Sequence, residues 1–273
     1  MTDYQQWVGK TLEQRDSISP AAVKRFCATF GLEYSAVLAP AGYHWCLCLP
    51  DTATAQLGVD GHPPKGGFIP PIELPRRMWA ASNVEFLLPL QMDAEIVRRS
   101  KIAAVNEKTG KSGALAFVEV EHETWANDEL AIKEQQTIVY REAAQSAMQL
   151  PAVNDGEPEG WDIVQQLNPD PTLLFRYSSL TFNTHRIHYD LPYAQTEELY
   201  PERVVHGPLM ATQALQLAAQ QGEVSHFSFK AISAAFCNQP LFLAANIHRL
   251  EAEISTLGGD GRVCLKSSVR FQS

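Results

Sequence analysis

An α+β architecture, with two tandem units that each wrap an antiparallel sheet on a helix, is the fold class that this 273-residue sequence predicts. Three observations predict it. The Pro-, Gly- and acid-rich stretch PAVNDGEPEG, 151–160, splits the chain into parts of roughly equal length. Each part carries one segment with apolar residues at helical spacing. Each part then runs on into extended segments. The expected units are residues 1–150 and 161–273, with 151–160 as the linker.

In the first unit, SISPAAVKRFCATFGL has a Ser cap and a Pro in the first turn of a helix. A long irregular stretch follows. Strands are then expected at Val84–Leu90, Glu95–Val105, Gly113–Trp125 and Ile132–Arg141, with a hairpin turn in NEKTGKSG, 106–113. In the second unit LLFRYSSLTF, 173–182, looks like a strand. GPLMATQALQLAAQQG, 207–222, predicts a mostly apolar helix of about four turns. Strands are expected near 225–235, 242–256 and 262–272. Two such units could join their sheets edge to edge.

Composition narrows the function. The apolar fraction of 45% and charged fraction of 19% are those of a globular chain. A net charge of −9, with no long Lys/Arg run, argues against nucleic acid as a partner. The five cysteines, Cys27, Cys46, Cys48, Cys237 and Cys264, are odd in number and contain no CxxC pair. They predict no disulfide framework and a reducing, cytoplasmic setting. On a strand, Cys46 and Cys48 would share one face. No apolar leader or membrane-spanning run is visible.

Three stretches could carry chemistry. TFNTHRIHYD, 181–190, crowds His185 and His188 with Asn183, Arg186 and Asp190. As an extended segment it would aim Asn183, His185 and Ile187 one way, and Thr184, Arg186 and His188 the other. Asp190, just before LPYAQTEEL, reads most simply as a helix N-cap. VVHGPL, 204–209, sets Gly207 and Pro208 at a helix start, where free N–H groups can hold an oxyanion. LGVDGHPPKGGFIPPIELPRRMWA, 57–80, reads as a long irregular loop and carries Asp60, His62, Lys65, Arg76 and Arg77. Its arginines suit carboxylates or phosphates, or else form a solvated rim. Walker, GxGxxG, GxSxG and HExxH patterns are missing, and HRIH alone does not predict a metal.

The run YSSLTFNTHRIHYDLPYA with YPERVVHGPLMATQAL resembles the hydratase-2 motif of MaoC-like hot-dog dehydratases. HWCLCLP, LGVDGHPPKGGFIPP and LPRRMWA resemble a narrower group, the itaconyl-CoA and 3-methylfumaryl-CoA (mesaconyl-C4-CoA) hydratases. The resemblance covers nearly the whole chain. It implies a double hot-dog fold and a cofactor-free hydro-lyase that converts itaconyl-CoA, mesaconyl-C4-CoA or both to citramalyl-CoA. It sets His188 on the family's catalytic histidine, Gly207 on the glycine that polarises the thioester carbonyl, and Asp190 on the aspartate opening a short helix. Asn183 stands where the broad family has an acid. An amide cannot titrate, so Asn183 is expected to position water, and Asp60, His62 or His185 to supply the second proton transfer. Arg76 or Arg77 is expected to meet a substrate carboxylate or coenzyme A. The alternatives are a straight-chain (3R)-hydroxyacyl thioester dehydratase, an acyl-CoA thioesterase and a non-catalytic acyl-CoA binding module. The partners expected are an acyl-CoA thioester and a second copy of the chain as a homodimer, with no membrane and no metal.

Overall fold

The computed structural model describes residues 3–110 and 113–273. Its strands are β1 (Thr11–Ser17), β2 (Arg76–Phe86), β3 (Glu95–Gly110), β4 (Gly113–Ala126), β5 (Glu129–Arg141), β6 (Ile163–Leu167), β7 (Val224–Ala231), β8 (Leu241–Ile247), β9 (Glu251–Gly258) and β10 (Val263–Phe271). They form one antiparallel sheet in the order β1-β3-β4-β5-β2-β7-β10-β9-β8-β6. The two halves meet at β2 and β7, which pair from Ala81 with Lys230 to Glu85 with His226. The α-helices are α1 (Pro20–Phe30), α2 (Pro171–Leu180), α3 (Leu191–Thr196) and α4 (Gly207–Ala219). None of the described helices is long and apolar enough to cross a membrane.

Helix α4 is buried nearly all round, with Leu209, Met210, Ala211, Thr212, Ala214, Leu215, Leu217 and Ala218 inside. A helix apolar on every side belongs in a core rather than on a surface. Its larger side chains each contribute about 1.5–3 kcal/mol by burial. Phe227, Phe229, Ile254 and Leu265 from the sheet pack in the same cluster. Helix α1 starts behind Ser19, with Pro20 in its first turn, and packs against α2. Ser19 stands at the cap position without a side-chain cap bond. A second cluster in the first half sets Ile102, Val118 and Tyr140 under Phe68, Ile69 and Ile72 of the 57–75 loop.

Several elements differ from the sequence expectation. Residues 173–182 are largely helical: Asp170 accepts from Leu173 N at 2.7 Å and Pro171 opens the helix, so the cap lies just upstream of the strand-like window. Strand β2 begins at Arg76, directly after Pro75, so the irregular loop ends there and not at 80. Leu87 and Leu88 lie beyond the strand, their N–H groups on Ala131 O. The segment 242–256 is two strands, β8 and β9, reversed by a turn that closes between His248 and Glu251. Polar β1 and short β6 are edge strands without an apolar run to announce them. Cys46 ends a 3-10 turn and Cys48 follows it at a positive φ, so the two do not share a strand face. All five cysteines are free. The tip of the 106–113 hairpin, residues 111–112, is outside the described residues.

Candidate active site

Two loops from opposite halves dock on one another. Gly61, at φ +85°, lies so close to Thr184 that a Cβ there would fall 1.9 Å from the Thr184 carbonyl oxygen. Thr184 Oγ1 donates to Gly61 O. Arg186 N donates to Asp60 O at 2.9 Å, and one Arg186 guanidinium N–H donates to Val59 O at 3.0 Å. Asp60 then accepts twice from His62, at the backbone N (3.0 Å) and at Nδ1 (2.8 Å). The first half thus presents an aspartate–histidine pair to the second half's polar run.

Four imidazoles follow in a row. His62 and His185 have ring centroids 4.2 Å apart, His185 and His188 5.4 Å, and His188 and His206 3.6 Å in a near-parallel stack. His185 and His188 therefore share one site, contrary to the extended geometry. Arg186–His188 form a 3-10 turn, and three residues per turn bring 185 and 188 into line. His188 Nδ1 donates to Val204 O at 2.7 Å, which fixes the ring and leaves Nε2 as the free lone pair. That Nε2 is bonded to no described residue and is not sealed from solvent. His206 Nε2 pairs with Ser178 Oγ at 2.9 Å, while its Nδ1 is buried without a partner. Asn183 Oδ1 accepts from His185 N at 3.0 Å. That oxygen helps hold the turn, and the amide NH₂ is bonded to no described residue.

His206 is also the N-cap residue of α4, so the row ends at Gly207. No side chain caps this helix, and Pro208 lacks an N–H. The first backbone donors therefore stay unpaired, with the positive end of the helix dipole behind them. A Cβ on Gly207 would lie 3.5 Å from Trp79 O, so β2 of the first half runs past the helix start. VVHGPL announced the Gly-Pro entry, whereas His206 entered the site through space.

The two arginines part company. Neighbours on a strand face opposite ways. Arg76 is paired with Glu198 through Nε, donates to Glu198 O at 3.2 Å and lies over the Tyr200 ring at 4.7 Å. Its charge is used inside the fold, which contradicts a free ligand-binding role. Arg77 donates to Pro63 O at 3.2 Å and has no carboxylate within 4 Å among the described residues. Asp190 caps α3, accepting from Tyr193 N at 3.2 Å, and pairs with Arg186 at 2.7 Å.

Burial pushes the His188 imidazole down to about 4, despite the bond to Val204. Burial also holds His185 and His206 well below the ordinary range, with neighbouring imidazoles adding to it. For His62, burial outweighs the upward pull of Asp60, so it too is lowered. Burial works to raise Asp60, but the bonds and charge from His62 hold its carboxyl below the usual value. The ligand atoms of Asp60, His62 and His185 come within 4.8 Å of one another, close enough to share a cation. The positive charge of Arg77 acts on both imidazoles and opposes a cation there.

Stability should depend on pH accordingly. Each of these histidines is lowered on folding, as are His44, to about 3, and His122, to about 4, both chiefly by burial. The unfolded chain then takes up protons first as pH falls. Their stabilisation is complete above about pH 6.5 and is lost between there and about pH 4, at up to about 1.4 kcal/mol per pH unit for each group. Thermal melts should show a constant Tm from pH 7 to 8 and a steep fall below 6.5. A Tm unchanged down to pH 4.5 would show that these rings are not held neutral.

Residues 42–237 match the family model described as hydroxyacyl-thioester dehydratase type 2. A mesaconyl-C(4)-CoA hydratase of Chloroflexus aurantiacus is 40% identical over 98% of both chains. A mitochondrial hydroxyacyl-thioester dehydratase type 2 of Schizosaccharomyces pombe is 27% identical over 73% of this chain and 75% of its own. Among solved structures, a MaoC-like dehydratase superposes with TM-score 0.74 at 14% identity, over 98% of this chain and 99% of that one. A Mycobacterium tuberculosis protein described as a double hot-dog superposes at 0.56 and 12%, over 96% of each. These structures bear on the fold alone, which is a double hot-dog.

Proposed function

The chain belongs to the hydroxyacyl-thioester dehydratase type 2 family, and on that premise we propose that it hydrates mesaconyl-C4-CoA to citramalyl-CoA. The observation that carries this reading is the row of imidazoles. It runs from the Asp60–His62 pair to the opening of α4, with Arg77 close enough for its charge to act on His62 and His185.

In this reading the thioester carbonyl accepts from Gly207 N–H, which stabilises the enolate formed on addition. His188 Nε2 takes a proton from water held by the Asn183 amide. The water oxygen bonds to the β-carbon, and the alkene electrons pass to the carbonyl. His62, neutral at rest, is the imidazole with a carboxylate beside it to offset a transient positive charge, so it passes the proton it receives on to the α-carbon. His185, between the two rings, returns the proton from His188 to His62. Only protons are exchanged, and no cofactor is called for, coenzyme A being part of the substrate.

An oxyanion donor helps only a double bond conjugated with the carbonyl. That favours mesaconyl-C4-CoA. Itaconyl-CoA would reach the same product after its double bond has moved into conjugation, a transfer for the same acid/base set.

The experiment is a panel of enoyl-CoA thioesters with product masses. Mesaconyl-C4-CoA should lose its enoyl absorbance and gain the mass of one water. Release of free thiol would mean a thioesterase, and preference for long straight chains would mean a fatty-acyl dehydratase. Arg77→Ala should lower kcat/KM on mesaconyl-C4-CoA by about 30-fold or more relative to crotonyl-CoA, the usual result of truncating one partner of a buried charged pair. Arg76→Ala should instead leave Glu198 unpaired, cost on the order of 3 kcal/mol of stability, and weaken both substrates alike. Equal selective losses for the two variants would defeat this division.

A further inference from the structure

We propose that Tyr140 and Lys65 complete, with Arg77, a subsite for the second carboxylate of a dicarboxylic acyl thioester, an inference that rests on the hydratase reading above. The Tyr140 hydroxyl is fully buried and makes no hydrogen bond of normal geometry, although the Arg77 guanidinium lies near enough to act on it. A buried hydroxyl left unpaired costs about 1–3 kcal/mol, so in a packed core it calls for an explanation.

Its surroundings supply one. Tyr140 on β5 is the cross-strand partner of Arg77 on β2, so both side chains stand on the same face. The Lys65 ammonium lies over the Tyr140 ring, 5.7 Å from its centre, and bonds to the carbonyls of Ile72 and Leu74. Burial and the charge of Arg77 lower its proton affinity. Neither cation has a carboxylate within 4 Å among the described residues. Two cations held by carbonyl oxygens and one idle hydroxyl are the complement of a carboxylate, which offers four lone pairs and a negative charge.

The position also fits. Arg77 lies two residues before Trp79, whose carbonyl stands beside Gly207. Two strand residues span about 7 Å. That is the scale of a short diacid gripped at both ends, with its thioester at the helix start and its free carboxylate at the cations.

Tyr140→Phe and Lys65→Met test this, with kcat/KM on mesaconyl-C4-CoA and crotonyl-CoA, Tm, and competition by the unreactive succinyl-CoA and butyryl-CoA. Tyr140→Phe should lose about 10-fold or more on mesaconyl-C4-CoA, mainly through KM, and almost nothing on crotonyl-CoA. Its Tm should hold or rise, because no internal bond is removed. Both variants should lose the wild-type preference for succinyl-CoA over butyryl-CoA. Equal losses on both substrates, a lower Tm for Tyr140→Phe, or a wild type without that preference would overturn the subsite. Wild-type turnover of crotonyl-CoA but not of mesaconyl-C4-CoA would instead defeat the substrate reading, whereas an unaltered Tyr140→Phe profile on an active wild type defeats the subsite alone.

Discussion

Replacing His188 by alanine should lower kcat by about 10²–10⁴, the range for removing one acid/base group, while acyl-CoA affinity changes little. The ring is fixed in place and kept neutral in three ways. Val204 O accepts a hydrogen bond from Nδ1, His206 supports one face, and burial keeps the imidazole neutral at working pH. A neutral ring can accept a proton from water, and a conjugate acid with a value near 4 gives it up readily. Alanine also frees Val204 O and opens a gap beside His206, so some stability will go with activity. His188→Asn separates the two effects, since its amide can still donate to Val204 O while offering no base. Enoyl absorbance measures turnover, and thermal melts check folding. A folded His188→Asn with near-normal kcat would remove the ring from the chemistry.

Gly61→Ala is the second large effect, and it acts at a distance from the reacting atoms. The new methyl would sit 1.9 Å from a backbone oxygen that has no rotamer to escape by. A φ of +85° adds strain for any residue with a Cβ. The 58–62 loop must lift, and the bonds from Arg186 to Asp60 O and Val59 O go with it. His62 then leaves His185. Misplacing a group by about 1 Å costs on the order of 10² in rate, so kcat/KM should fall by at least about 100-fold while the core melts near its usual temperature. Gly66→Ala is the control in the same loop. Its φ is +98°, but the nearest atom to a new Cβ is Pro71 Cβ at 3.6 Å. It should cost about 1–2 kcal/mol of strain and little activity. Equal activity for the two variants would show that loop docking does not matter to catalysis.

What could be read from the chain was local. The apolar spacing of 207–222 marks a core helix, which in the structure ends at Ala219, and Gly-Pro marks its start. Residues 151–160 carry no regular structure, as their Pro, Gly and acid content favours. Asp190 before Leu191-Pro192 marks a cap, and the Asp190 side chain does accept from Tyr193 N. What failed depended on backbone geometry or on the sheet. Alternation separated His185 from His188 because it assumed a strand, whereas one 3-10 turn aligns them. The run 173–182 looked like a strand, and the deciding cap, Asp170 with Pro171, lay outside that window. Arg76 and Arg77 looked equivalent until β2 turned one toward Glu198 and left the other without an acid. The meeting of Asp60 and His62 with 183–188 needs two loops more than 120 positions apart, and no periodicity encodes a contact of that range.

The ladder between β2 and β7 has a consequence for inheritance. Two identical subunits would copy every change at their junction onto both sides, so a pocket could not be altered on one flank alone. Here the flanks are different stretches of one polypeptide. A lineage can revise β2, β5 and the loop before them to suit a new diet while the 183–207 segment stays as it is. Kin with other tastes should therefore diverge first on the leading flank.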